Sequence, residues 1–193
     1  MKKYFLSLAI VILAAFSAHA QFSLGAKAGV NFSKINSDNL GESTIAGYQA
    51  GLFARIGTGF YLQPEVYLSS SGGKFNTNTN GIDYSAKIKF TNLNVPLLLG
   101  KSWGGDNLNV HLNAGPIYTF VLDKSSSFSN NFNQATVDFG NYKKSTLGYQ
   151  VGGGLDLGHI TADLRYEGNL TEINKNYGQH QNLWALTLGY KFF

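Results

Sequence analysis

Along most of the chain, apolar and polar residues alternate one by one. The last twelve residues show it most clearly. Trp184, Leu186, Leu188, Tyr190 and Phe192 share one parity, and Ala185, Thr187, Gly189 and Lys191 share the other. Successive side chains of a strand point to opposite faces, so this segment is a ribbon with one apolar-aromatic face and one small or charged face. The same period predicts eight strands, at residues 22–32, 45–56, 60–69, 84–100, 107–122, 145–157, 159–167 and 182–193. No segment sustains a helical period. Pro64 cannot donate to a ladder, so strand three is expected to carry a bulge or a missing bond there. In strand four, Ala86, Ile88 and Phe90 fall out of step with Leu93, Val95, Leu97 and Leu99, which predicts a β-bulge near Thr91 and Asn92.

The connections alternate in length. Polar segments at residues 33–44, 70–83, 123–144 and 168–181 are long, and those at 57–59, 101–106 and 158 are short. Short periplasmic turns and long external loops are the signature of an outer-membrane barrel, so the expected fold is all-β: an eight-stranded antiparallel up-and-down transmembrane β-barrel. Charge placement agrees. Lys27, Arg55, Glu65, Lys87, Lys89, Asp156, Asp163, Arg165, Glu167 and Lys191 all fall on the polar parity. A midplane Lys or Arg facing lipid costs about 2–4 kcal/mol, enough to enforce that exclusion. The polar parity then lines a narrow lumen. Buried charges persist when paired, so Lys27, Arg55, Glu65, Asp163, Arg165 and Glu167 are expected to form a cross-strand network that plugs it.

A soluble lipocalin-like carrier of a small apolar ligand has the same strand number, with its apolar face turned inward. Composition favours the membrane. Charged residues make up 13% of the chain, aromatics 14%, and there are 23 Gly. The polar face is largely Gly, Ser, Asn and Thr, which suits a tight interior, while Phe22, Phe32, Phe60, Tyr84, Phe120, Trp184, Tyr190 and Phe192 sit near strand ends as interfacial girdles do. The first twenty residues read as a secretory signal: Lys2 and Lys3, an apolar stretch at residues 4–16, and Ala18-His19-Ala20 as the cleavage site. Residues 21–193 then form the barrel domain, destined for the outer membrane of a Gram-negative bacterium. Losing Lys2 and Lys3 lowers the formal charge from +4 to +2, and the remaining basic residues are scattered, which argues against nucleic acid. With no Cys, disulfide and thiolate chemistry is excluded.

Little in the chain points to catalysis. An outer-membrane lipid hydrolase, the weaker alternative, needs a Ser, a His and a carboxylate together. His111 and His159 have no accompanying nucleophile motif and read as a lumenal and a turn residue, and His180 as a solvated loop residue. No His spacing suggests a metal, Asp83, Asp123 and Asp138 lack calcium-loop spacing, and Gly152-Gly153-Gly154 lies within a strand, so no cofactor or metal is expected. The longest polar segment carries Phe128, Phe132, Phe139 and Tyr142 among Ser and Asn. Exposed aromatics of this kind suit contact with an extracellular protein or glycan, and equally suit a hairpin that extends the strands above the membrane.

Three stretches resemble one family. Leu62-Gln63-Pro64-Glu65-Val66-Tyr67, followed by Ser71-Gly72-Gly73-Lys74, is similar to the "LQPEL" strand of the PorT-like outer-membrane β-barrel family. Leu93-Asn94-Val95-Pro96-Leu97-Leu98-Leu99 resembles its "YLEIPLLLK" strand, departing at Leu93 and Asn94, and residues 25–32 resemble its first strand. The resemblance implies an integral outer-membrane protein, OmpA/OmpX-like in size, with no catalytic residues; one branch is associated with protein secretion. The end, Gly189, Tyr190, Phe192 and Phe193, is similar to the terminal assembly signal of OmpX-type barrels. That implies recognition by the barrel-assembly machinery and a monomer in outer-membrane lipid.

Overall fold

The computed structural model describes residues 22–36, 41–79, 82–105, 107–128, 145–171 and 180–192. The expected cleavage site and most of the longest polar segment, with Phe132, Phe139, Tyr142 and Phe193, lie outside them. The described chain is all strand: β1 (Phe22–Asn36), β2 (Gly41–Ser43), β3 (Ile45–Ile56), β4 (Phe60–Thr79), β5 (Ile82–Gly104), β6 (Leu108–Phe128), β7 (Ser145–Leu157), β8 (Ile160–Asn169) and β9 (His180–Lys191). Each pairs antiparallel with its neighbour in the order β4-β3-β1-β9-β8-β7-β6-β5, and β5 returns to β4. Eight strands therefore close into a barrel. The stub β2 pairs with β4 above β3, from Gly41↔Asn76 to Ser43↔Lys74.

The three short turns carry positive-φ glycines, Gly57, Gly104 and Gly158, which supply the conformation that tight hairpins demand. Burial decides which way the ribbon faces. Leu52, Leu99, Leu112, Val151, Leu164, Leu186 and Leu188 are exposed, while Lys27, Asn31, Gln49, Gln63, Glu65, Asn94 and Arg165 are buried. A lipocalin would show the reverse, so the soluble-carrier reading is overturned and the apolar face is a lipid face. On β6 the outward run from Leu108 to Tyr118 covers eleven residues, ten steps that amount to about 33 Å along the strand and about 25 Å at the usual barrel tilt. That matches the height of an outer-membrane apolar band.

Two strand irregularities fall where Pro and phase predict them. The β3–β4 ladder is interrupted between Phe53↔Glu65 and Ile56↔Leu62, with unchanged register, beside Pro64. The β5–β6 register shifts between Thr91 and Asn92. The extra residue, however, is Leu122 on β6, because Thr91 faces Asp123 and Asn92 faces Val121. The alternation of β5 itself never slips: Phe90, Asn92 and Asn94 are all buried. Phe90 therefore points into the barrel, and Lys89 lies on the outer face above the apolar band, contrary to the expected phase. Strands β4, β5 and β6 also outrun their expected ends. Pairing of β4 with β5 continues to Thr79↔Ile82, and pairing of β5 with β6 to Ala86↔Phe128, so most of the polar segment at residues 70–83 is ladder rather than loop.

Candidate functional site

The lumen holds the chain's chemistry. Its groups come from the inward parity of six strands: Arg55 (β3), Gln63, Glu65 and Tyr67 (β4), His111 (β6), Gln150 and Asp156 (β7), Asp163, Arg165 and Glu167 (β8), and Lys27 on β1. In the closed order, β4 stands diametrically opposite β8, and β3 opposite β7. Three contacts cross that full diameter, stacked along the axis. Lowest, Arg55 Nη1 donates to Asp156 Oδ2 at 2.5 Å. In the middle, Arg165 Nη1 donates to both oxygens of Glu65, each at 2.8 Å. Above it, Tyr67 Oη donates to Glu167 Oε1 at 2.5 Å.

Neutral groups join the layers. Gln63 accepts from Arg55 Nε at 2.8 Å and donates to Glu65 Oε1 at 2.6 Å. Gln150 accepts from Arg165 at 3.2 Å and donates to Glu167 at 2.6 Å. Arg165 Nη2 also reaches Asp163 Oδ1 at 3.1 Å, and His111 Nε2 is bonded to the same oxygen at 2.9 Å. His111 Nδ1 lies 3.6 Å from Asp156, too long for a hydrogen bond. Lys27 pairs with Glu65 and lies over the Tyr67 ring, 4.3 Å from its centroid. Arg55 stacks likewise on Tyr61, at 4.5 Å. Lys191, at the mouth, is 3.7 Å from Asp156.

All six charges expected in the lumen thus meet in one connected cluster. Sequence reasoning placed Asp156 and Lys191 on the right face but not in the cluster, and it gave no role to Gln63, Tyr67 or Gln150. Buried amides bridging buried ions were the signal available. Four cations, Lys27, Arg55, Arg165 and Lys191, face four carboxylates, Glu65, Asp156, Asp163 and Glu167. That balance lets the interior bury its ions without net charge. Arg165 is 1% and His111 0% exposed, so both side chains are buried in the middle of the barrel.

Glycines make the space. A Cβ on Gly152 would lie 2.6 Å from Arg165 Cγ, and one on Gly154 would lie 2.8 Å from His111 Nε2. Gly152 and Gly154 are therefore a packing floor for the cluster, while Gly153 faces outward against Leu112. Above the cluster, Asn92 donates to Ser71 and Asn94 to Ser69, both at 2.8 Å. A cavity of about 30 Å³ remains there, beside Glu167, too small for a solute much larger than water.

The other expected sites are separate. Tyr190 and Phe192 lie on the lipid face at the short-turn end, with rings 6.1 Å apart, and Gly189 faces inward. Phe128 ends β6. His159 occupies a turn and its Nδ1 is 3.0 Å from the Lys191 carbonyl. Among the described residues, neither His111 nor His159 is bonded to a Ser or Thr hydroxyl.

Comparison with known proteins agrees with this architecture. No curated protein matches the sequence. Among solved structures, the outer membrane protein OprG from Pseudomonas aeruginosa is similar over 90% of this chain and 97% of its own, at 15% identity and TM-score 0.51. Neisserial surface protein A aligns over 88% of this chain and 97% of its own, at 13% identity and TM-score 0.49. Ail, the attachment invasion locus protein of Yersinia pestis, aligns over 89% and 99%, at 11% identity and TM-score 0.49. At these identities the likeness concerns the fold, and only the first reaches a TM-score that supports it. The model of the outer membrane protein beta-barrel domain matches residues 16–175, most of the chain, and the protein belongs to that family.

Proposed function

We propose that this protein is a non-conducting barrel that acts at the cell surface through the strands it raises beyond the membrane, where it binds an extracellular protein or glycan. The observation that carries the surface reading is the length of β4 and β5. Their lipid-facing residues end near Leu68 and Leu93, yet their pairing continues to Thr79↔Ile82. The projecting part spans nine residues of β4, residues 71–79, or about 30 Å along the strand, and β2 and the end of β6 widen it. A rigid, projecting sheet is a better platform for binding than a loop, because its backbone entropy is already lost. The three diametric contacts across the lumen support the non-conducting reading over a porin role. The PorT-like motifs imply kinship with a family of which one branch is associated with secretion, a role that would use the same surface. Among the described residues, His111 is bonded to Asp163 and His159 to the Lys191 carbonyl, neither to a hydroxyl nucleophile, which favours the surface reading over a hydrolase.

The test replaces residues 74–87 with a two-residue Asn-Gly turn. Refolded wild type and variant are probed on an array of extracellular-matrix proteins and glycans. Wild type should capture at least one class of ligand, and the variant should lose it while keeping heat-modifiable mobility. Equal capture by both proteins would move function off the projecting sheet.

A further inference from the structure

We propose that the lipid-facing wall around Gly100 is a binding site for one anionic glycerophospholipid, with its phosphate on Lys101 and an acyl chain in the adjoining groove. The outward parity at the lower end of β5 reads Leu97, Leu99, Lys101 and Trp103. Lys101 therefore faces lipid at the short-turn end, which sequence reasoning had assigned to a connector. Its ammonium lies 4.8 Å from the Phe60 ring centroid and 5.2 Å from that of Trp103. Both rings are exposed on the same face, Phe60 at 74%. They hold the charge at the rim, at the depth of a lipid headgroup. Among the described residues no carboxylate lies within ion-pair distance of it, whereas the nearby Lys191 and Arg55 turn inward to Asp156.

Immediately above Lys101 the wall recedes into a groove of about 610 Å³, lined by Leu62, Leu99, Leu112, Ala114 and Val151. On the outer face the wall is shallow there because Ala114, the cross-strand partner of Leu99, presents only a methyl group. At Gly100 no side chain could be added inward, since a Cβ would sit 2.1 Å from the Tyr61 ring. Leu99 is two residues from Lys101, about 7 Å along the strand, the relation of an acyl chain to its phosphate. The depth excludes a peptide occupant, whose backbone groups would go unsatisfied in hydrocarbon. The single positive charge selects for a headgroup without its own ammonium, since a zwitterionic head already neutralises its phosphate.

The experiment is native mass spectrometry of the full-length barrel released from micelles containing equal amounts of dioleoyl phosphatidylglycerol and dioleoyl phosphatidylcholine. Wild type should retain one phosphatidylglycerol in preference to phosphatidylcholine. Lys101→Gln should reduce that retention about fivefold, the equivalent of about 1 kcal/mol for one surface lysine. Lys101→Arg should preserve it. Leu99→Trp, which fills the groove, should reduce it with Lys101 intact. Lys89→Gln, at the opposite end of β5, serves as the control and should change nothing. Equal retention by wild type and Lys101→Gln, no preference between the two lipids, or an equal loss in Lys89→Gln would each overturn the proposal.

Discussion

Replacing Arg165 with Met tests whether the barrel interior is a dry, closed core. Arg165 spans the lumen from β8 to β4, with two 2.8 Å contacts to Glu65, one of 3.1 Å to Asp163 and one of 3.2 Å to Gln150. Met keeps the length and apolar volume and deletes the charge. Glu65 then retains Lys27, and Asp163 retains His111, but four carboxylates face three cations among buried side chains. Breaking a buried pair on one side costs about 3–5 kcal/mol, whereas the same loss in a wet lumen costs about 0.2–1 kcal/mol. With a urea slope of about 2 kcal/mol per M, a dry core predicts that the unfolding midpoint in lipid vesicles falls by about 1.5–2.5 M. Glu65→Gln should cost a comparable amount. The double variant should be less destabilised than the sum of the singles by about 2 kcal/mol, because it removes both halves of one interaction. A midpoint shift below about 0.5 M, or strict additivity, would show that water screens these charges and would refute the closed lumen.

Three further outcomes follow from the same geometry. In planar bilayers the wild type should show no steady ion-selective conductance, and Arg165→Met with Glu65→Gln should raise only brief openings; a stable channel in wild type contradicts the diametric contacts. Gly152→Ala should lower stability by about 1–3 kcal/mol, because its Cβ would meet Arg165 Cγ at 2.6 Å and the Leu164 carbonyl at 2.7 Å. Gly59→Ala, with nothing within 4 Å of its Cβ, should be neutral by the same urea titration. Replacing Tyr190 and Phe192 by Ser should leave the protein in the periplasm, read by fractionation and loss of heat-modifiable mobility; normal insertion would separate these rings from assembly.

The wall of this barrel was legible because its physics is local. Alternation needs only neighbouring residues, and a lipid face tolerates no midplane charge, so parity alone sorted Lys27, Glu65 and Arg165 inward. Strand ends were less legible where the driving force changes. Above the membrane the outward face of β4 and β5 no longer needs to be apolar, so the polar residues at 70–83 read as loop while their backbones remain paired. The phase of Phe90 failed for a related reason. Near the external end the lumen accepts apolar groups, Phe90, Ile45 and Leu183 among them, and an inward Phe imitates an outward one. The bulge was visible as a conflict of phase, but parity could not say which strand of the pair carries it; the structure gives it to Leu122.

The partners within the lumen look like a purely tertiary fact, yet much of the pairing follows from counting. In an up-and-down barrel of eight strands, each strand faces the one four places on. Glu65 is on the third wall strand and Arg165 on the seventh; Arg55 is on the second and Asp156 on the sixth; Tyr67 and Glu167 repeat the third-to-seventh relation. Opposite strands therefore carry complementary groups at three levels. What counting cannot supply is height, which depends on the stagger of the ladder around the barrel. The registers provide it: Gly152↔Arg165 and His111↔Gly154 set side by side the strands that carry Arg165 and His111 on bare backbone. Glycine is placed where a charged side chain must lie flat across the wall, and the charge beyond it is placed where the opposite strand can answer. The parity of the charges and the glycines that let them reach across thus serve the same three diametric contacts.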